Sequence, residues 1–422
     1  MFNSFSILIM PRIYYTTSST GLSSFTGNTN YNEKVSLTFT PTANKTYAIF
    51  WSTVLSGSSI TNVNNIRLRK TTGTPEIYQE FEIDRDELLE EQSLTDFSLY
   101  TAPASPTQES FAIEGRTSVT TDTIYLSDTH ITALELSAED VFVSASASVS
   151  TNVNTYATTD SITVGAGDWY IFGSAGVNVN TTTITARGLM GVIISGSDNT
   201  SYMEQDSWYS EAVNNWTPYW GMFSASVASS TTYNLQYKDN SAGSTSLRYR
   251  KLLALKKSGF YESYFTGSYA LSTTGLTEAT KVTLTATPIL SGNTLVLSTW
   301  MMEPPGEVST QAFSNLLKDN TTVFDHAGEL LLEPQSIYDL FQEGYARVYN
   351  LPTSQVTWAL RFRSTSGAFI TGMKNAAILM LALDEPAAPI GGTGVLARIS
   401  TTGDGSIFRI SQNQIGSFVR GS

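Results

Sequence analysis

Histidine is the side chain most often recruited for proton transfer near neutral pH, and this chain of 422 residues has two, His130 and His326. Two imidazoles cannot form a multi-histidine metal cluster, and the absence of cysteine removes thiolate ligands and disulfides together. A Ser-His-Asp triad could use either histidine, but no Gly-x-Ser-x-Gly elbow accompanies them, so both are expected in surface or loop positions. Carboxylates are more plentiful. Between residues 76 and 91 stand eight acids (Glu76, Glu80, Glu82, Asp84, Asp86, Glu87, Glu90, Glu91) against Arg85 alone. From Tyr78 to Asp84 the sequence alternates with period two, which puts the acids on one face of a strand and points Phe81 and Ile83 inward. A solvated strand face followed by a short acidic turn is the plain reading, and a surface for cations or a basic partner is the other. No Asp-x-Asp-x-Asp-Gly loop supports calcium.

The densest aromatic stretch begins at Trp208-Tyr209 and continues from Trp216 to Phe223. Tyr219 precedes Tyr233 by 14 residues, as Phe97 precedes Phe111, so Tyr219 and its alternation partners read as a core strand. Trp208, Tyr209 and Trp216 fall in the loop region before it. They form the candidate binding surface, able to stack on sugar rings or anchor a protein interface.

The elements that must position these residues repeat three times. Lys34-Val35-Ser36-Leu37-Thr38-Phe39-Thr40-Pro41 and Lys281-Val282-Thr283-Leu284-Thr285-Ala286-Thr287-Pro288 match at an offset of 247, with a degenerate copy at Ser161-Ile162-Thr163-Val164. Phe50, Phe172 and Leu297 precede Ile113, Leu235 and Leu360 by 63 residues each (113−50, 235−172, 360−297). Each copy closes on a leucine-rich strand, residues 131–136, 252–255 and 378–383. A period of about 120 to 125 residues lies far above the solenoid range, so each copy is expected to bury its own core. Phe50, Ile113 and Leu134 would share the first core, and Phe172, Leu235 and Leu253 the second. Seven to nine short apolar runs fit each period, with turn signals every ~8 to 12 residues.

This pattern predicts an all-β chain of three tandem β-sandwich domains with jelly-roll or Greek-key connections and extended terminal arms. The boundaries are an arm at 1–13, sandwiches at 14–140, 141–259 and 260–385, and a second arm at 386–422. Helix evidence is confined to a turn or two at 86–91 and 336–341. The segment Ser18-Ser19-Thr20-Gly21-Leu22 is echoed in the stretch from Ser263 to Leu276, so the connecting stretches belong to the repeat and are expected to form its first strand.

Composition narrows the function. Charged residues are only 14% and the net charge is −13, the wrong sign for neutralising nucleic-acid phosphates. No run approaches the ~18 to 20 apolar residues of a membrane span. Three copies share a scaffold but no acid, since Glu114 corresponds to Gln236 and Arg361. Paired carboxylates drawn from distant strands keep a polysaccharide-degrading enzyme open as a third possibility. The drift nonetheless speaks for structure, with no catalytic residue, no cofactor and no metal.

The aromatic-initiated strands Phe111-Ala112-Ile113-Glu114-Gly115 and Tyr233-Asn234-Leu235-Gln236-Tyr237, each followed by a terminal Ala-Leu-x-Leu-like strand, resemble repeat-built virion structural proteins of tailed bacteriophages. That family usually carries an arginine in the closing strand, where Glu135 stands here. The resemblance spans residues 14 to 384 and implies a non-enzymatic component of the particle: a decoration protein, head fibre or tail appendage. Its partners would be other virion proteins and further copies of itself, with a homotrimer or a lattice array as the expected oligomer. The alternative is a glycan-binding adhesin that contacts host surface sugars.

Overall fold

The computed structural model describes residues 12–27, 29–57, 64–83, 92–153, 155–180, 187–194, 205–208, 216–239, 244–289, 291–303, 312–326, 341–364, 371–383, 394–396 and 409–411. The Thr/Ser-rich alternating runs form strands, and the helical element among the described residues is a single 3-10 turn, Lys257–Gly259. Of the two helical candidates, 86–91 and 336–340 lie outside the described residues, and Phe341 opens a strand.

The first copy contributes β1 (Tyr14–Ser19), β2 (Ser23–Thr26), β3 (Asn32–Phe39), β4 (Thr46–Gly57), β5 (Asn64–Lys70), β6 (Glu76–Ile83), β7 (Gln92–Thr101), β8 (Glu109–Thr117) and β9 (Thr123–Glu135). The second supplies β10 (Val141–Ala145), β11 (Val149–Thr151), β12 (Ala157–Val164), β13 (Gly167–Asn180), β14 (Arg187–Ile194), β15 (Gln205–Trp208), β16 (Thr217–Val227), β17 (Thr231–Asp239) and β18 (Ser244–Lys256). The third supplies β19 (Ser263–Ser268), β20 (Ser272–Thr274), β21 (Ala279–Ala286), β22 (Gly292–Glu303), β23 (Ala312–Lys318), β24 (Thr321–His326), β25 (Phe341–Leu351), β26 (Val356–Ser364) and β27 (Thr371–Ala382). Residues 385–422 are a separate unit in which β28 (Gly394–Leu396) pairs with β29 (Arg409–Ser411). Residues 1–11 of the expected N-terminal arm lie outside the described residues.

In the first copy β1-β9-β4-β7, with β2 also on β9, faces β3-β8-β5-β6, and both other copies repeat this order. The antiparallel partners β5 with β6, β4 with β7, β3 with β8, and β1 and β2 with β9 are those of one long hairpin wound on itself. That winding is the jelly roll, with β1 and β2 as one interrupted strand. A buried cation holds each interruption. Lys34 donates to the carbonyl of Gly21 and to Ser23 Oγ (3.0 Å), and Lys281 does the same to Ala270 and Ser272 Oγ (2.9 Å). In the second copy Arg250, from the opposite sheet, reaches the carbonyl of Ala147 and pairs with Asp160 at 2.7 Å. The lysine that begins the repeated sequence word therefore has a structural role, and a different residue fills it where the word has decayed. These contacts equate Leu22 with Leu271, inside the echoing stretch Ser263 to Leu276, whose β19 and β20 form the interrupted first strand of the third copy.

The core differs from the one expected. Ile113, Leu235 and Leu360 lie inside the three sandwiches as read, but Phe50 and Leu134 point to the other face of their sheet. There they meet Phe172, Leu253, Leu297 and Leu379 in a single cluster that draws on all three copies. The Phe50 and Phe172 rings stand 5.7 Å apart, and Phe172 stacks on Trp220 at 6.2 Å. The inner sheets are thus apolar on both faces, which is why Tyr47 through Leu55 is a run of buried residues rather than an alternation.

Contacts run in a cycle. The edge strand β7 lies against the second copy, β16 against the sheet of the third, and β25 against β4, β7 and β9 of the first. Gly344 on β25 sits where all three touch: a Cβ there would come within 2.5 Å of Trp220 Nε1 and 2.9 Å of Thr95 Cβ. Phe172→Ala should cost about 3–5 kcal/mol, Leu235→Ala about 2–5 kcal/mol, and Gly344→Ala about 1–3 kcal/mol through overpacking. Denaturant unfolding of each variant checks these values. A Phe172 variant within experimental error of the parent would contradict the shared core.

Candidate functional site

Asp96, Lys251 and His130, among the described residues, lie where the copies meet. In each inner sheet a β-bulge interrupts the ladder after Ser52, Ser174 and Thr299. Across from it Asp128, Tyr249 and Asn375 take positive φ of 41°, 51° and 51°. Such a bulge bends the strand and re-aims its neighbours. The three hydroxyls, 122 and 125 residues apart (174−52, 299−174), each cross a seam. Ser52 donates to the carbonyl of Ala346 (3.0 Å), Thr299 to that of Trp220 (3.3 Å), and Ser174 to the carboxylate of Asp96.

The seam between the first and second copies contains a buried ion pair. Lys251 Nζ lies 3.4 Å from Asp96 Oδ2 and donates more closely, at 2.6 Å, to the carbonyl of Phe97. Asp96 also accepts from Gln79, from Ser174 and from its neighbour's N–H (2.6 Å), and Trp51 holds Gln79 in turn (2.6 Å). Burial pushes the Asp96 carboxyl up and brings Lys251 down to about 8, so desolvation outweighs their mutual attraction.

The seam between the third and first copies holds His130, which the surface or loop expectation misplaced. It lies buried on β9, its ring edge-on to Tyr345 at 6.1 Å and its Nε2 3.0 Å from Asp128 Oδ1, with Arg347 3.6 Å from the same oxygen. The residue that covers it, Tyr345, belongs to another copy. His326 ends β24, and its side chain lies outside the described residues.

Of the three candidate aromatics, Tyr209 lies outside the described residues, and Trp208 contributes backbone to β15 opposite Arg187. Trp216 is half-buried under the Arg248 guanidinium, 4.2 Å from its ring, and Arg248 donates across the seam to the carbonyl of Glu80 (2.6 Å). Tyr219 is a core residue, but the register sets Met222 opposite Phe172 as Phe97 is opposite Phe50. The 14-residue match was three residues out of step. In the acidic run, Phe81 is buried as expected, and the Glu80 carboxylate receives the Tyr31 hydroxyl and lies 3.8 Å from Arg116. Residues 84–91 lie outside the described residues.

Among the described residues no group of three or more His, Asp or Glu gathers to hold a metal, and no helix is long and apolar enough to cross a membrane. A hollow lined by Glu262, Tyr264, Asn293 and Met380 encloses about 10 Å³, room for one water.

One end of the body collects the chain's entries and exits. Arg12 forms a bidentate pair with Asp140, donates to the carbonyl of Gly259 (3.2 Å) and lies 4.1 Å over the Phe260 ring. These residues stand at the start of the first copy and at both junctions. Asn293, whose carbonyl receives the Leu383 N–H, donates to the Tyr14 hydroxyl at 2.6 Å. Residues with large exposed apolar side chains flank this knot: Ile13, Phe142, Tyr261 and Ile289.

No family model matches the sequence, and no curated protein matches it. Among solved structures the chain is similar to one from an archaeal virus described for its triple jelly-roll fold and turret assembly. The two are 10% identical over 88% of this chain and 91% of that one, with a TM-score of 0.20. It is also similar to a chain of Sulfolobus turreted icosahedral virus, at 10% identity, 88% and 92% coverage and a TM-score of 0.20. At such scores the jelly-roll assignment rests on this chain's own strand order.

The sign of the pH response follows from the buried pair. The folded state releases the Lys251 proton near pH 8 and the unfolded chain near 10.5, so unfolding free energy rises with pH across that window. Asp96, raised above 3.8, makes it fall as pH rises through the acidic flank. The pair therefore weakens the body most near neutrality. At pH 7, Asp96→Leu with Lys251→Met should leave stability unchanged or raise it by up to about 4 kcal/mol, while Lys251→Met alone should cost about 3–5 kcal/mol. Urea unfolding from pH 5 to about 9.5 tests both flanks, and a double variant less stable than the parent would contradict this balance.

Proposed function

We propose that the chain is a non-enzymatic structural component of a virus particle, carried at the surface as a decoration protein, fibre or appendage. One observation carries this reading: among the described residues, the reactive side chains that lie at the seams are spent on joining copies. His130 packs against Tyr345, Lys251 and Asp96 pair across a seam, and Arg248 stacks on Trp216 while reaching Glu80. Groups committed to such contacts are not free to turn over a substrate. The tandem jelly rolls and the virion proteins that the sequence resembles support the same reading.

Attachment then runs through the terminal segments 1–11 and 387–422, and the four exposed apolar residues beside Arg12 add to the surface that receives the partner. Its partner is another protein of the particle, and the rest of the body projects away from it. Chains lacking residues 1–11, and separately 387–422, should keep the melting temperature of the body yet fail to join particles in a reconstitution assay. The shorter N-terminal cut spares Arg12, which is part of the body's own packing. Normal incorporation of both truncated chains would place attachment on the sandwich faces and overturn this assignment.

A further inference from the structure

The three seams share one frame and differ in chemistry at one position. Residues facing the bulge hydroxyls on the closing strands are His130, Lys251 and Ala377. The corresponding residues on the edge strands, opposite Trp51, Gly173 and Ser298, are Asp96, Gly221 and Tyr345. In the observed cycle Lys251 meets Asp96 and His130 meets Tyr345, and where β16 approaches β27 the equivalent positions are Gly221 and Ala377, two residues with little or no side chain.

Copies this similar have a closure problem. Each inner sheet presents an apolar face that can seat on either of the other two, in the same chain or in a second one, and tandem repeats misassemble in this way. Closing the cycle in the reverse order would set Lys251 against Tyr345 and Asp96 against Ala377. Both charges would then be buried without a counter-ion, which is strongly disfavoured. A second copy from another chain seated in the first copy's place would set Lys251 against Gly221, with the same result, whereas an exchange of like for like keeps the native pair. The observed order pairs both charges, and the neutral hydrogen bonds to Gln79, Ser174 and the Phe97 carbonyl fix their places.

We infer that the Asp96–Lys251 pair is a key that makes the three jelly rolls close in one order and keeps a copy from a second chain out of any place that is not its own. It acts by excluding wrong partners rather than by strengthening the right one. Because the chain has no cysteine, Ser229→Cys in the exposed turn after β16 gives a single labelling site. Donor- and acceptor-labelled full-length chains are unfolded together, refolded at high concentration and then diluted. Energy transfer that survives dilution reports exchange between chains, and an increase over the parent reports copies seated in the wrong places, because like-for-like exchange keeps the same contacts in every variant.

The parent should refold with little exchange. Asp96→Leu with Lys251→Met should melt no lower than the parent and yet show several-fold more exchanged oligomer. Asp96→Asn with Lys251→Gln is a second neutral version should the first fail to fold, and the same increase is expected of it. The reversed key, Asp96→Lys with Lys251→Asp, should restore most of the parent's fidelity. A neutral version that folds and refolds with no more exchange than the parent would overturn the inference and leave the pair an ordinary seam contact.

Discussion

Everything in this molecule depends on inner sheets that are apolar on both faces. A sandwich normally solvates the outer face of each sheet, so a copy with Phe50 or Phe172 pointing outward has a second face to bury. With three copies in one chain, the solution is a closed cycle in which each inner sheet is covered by the others. The cost of such closeness is visible at Gly344, where no side chain fits, and in the hydroxyls that bridge each seam. The outer sheets, free of this demand, line their solvent faces with hydroxyl pairs such as Thr163 with Thr232 and Thr38 with Ser110.

Joining equivalent surfaces leaves room for divergence at the contacts. The bulge, the positive-φ residue and the bridging hydroxyl keep their places in all three copies, whereas the residues they aim into the seams have become an ion pair, a ring contact and a pair of small residues. The same division appears at the interrupted first strand, where Lys34 and Lys281 are retained and Arg250 replaces the missing cation from another strand. Backbone geometry sets which positions must be filled, and side-chain chemistry at those positions then distinguishes one copy from the next. A chain shaped in this way builds a defined body with its entries and exits at one end, which suits a component that is carried by something larger.

Much of the fold is legible in the sequence because jelly-roll strands are short, alternating and bounded by turn residues. The 63-residue spacing from Phe50 to Ile113 identified equivalent positions in all three copies. It could not say that its two members face opposite sides of one wall, because a spacing between equivalent positions does not tell which face of a sheet each one occupies. One signal was present: the run from Tyr47 to Leu55 and its counterpart after Trp169 do not alternate, as expected of strands covered on both faces. His130 was misplaced because its covering residue, Tyr345, lies in another copy. The slipped alignment of Tyr219 with Phe97 came from a loop-length difference between copies, which only ladder register reveals. The ion pair of Asp96 and Lys251 joins residues 155 apart in sequence and had no pattern to announce it.

The claim that the three jelly rolls form one body through a shared core is tested most directly by differential scanning calorimetry of the full chain. If the core is shared, the body melts in one transition whose calorimetric enthalpy equals its van't Hoff enthalpy. Independent sandwiches would instead give a calorimetric enthalpy about three times the van't Hoff value, or resolved successive transitions, and either result would contradict the account.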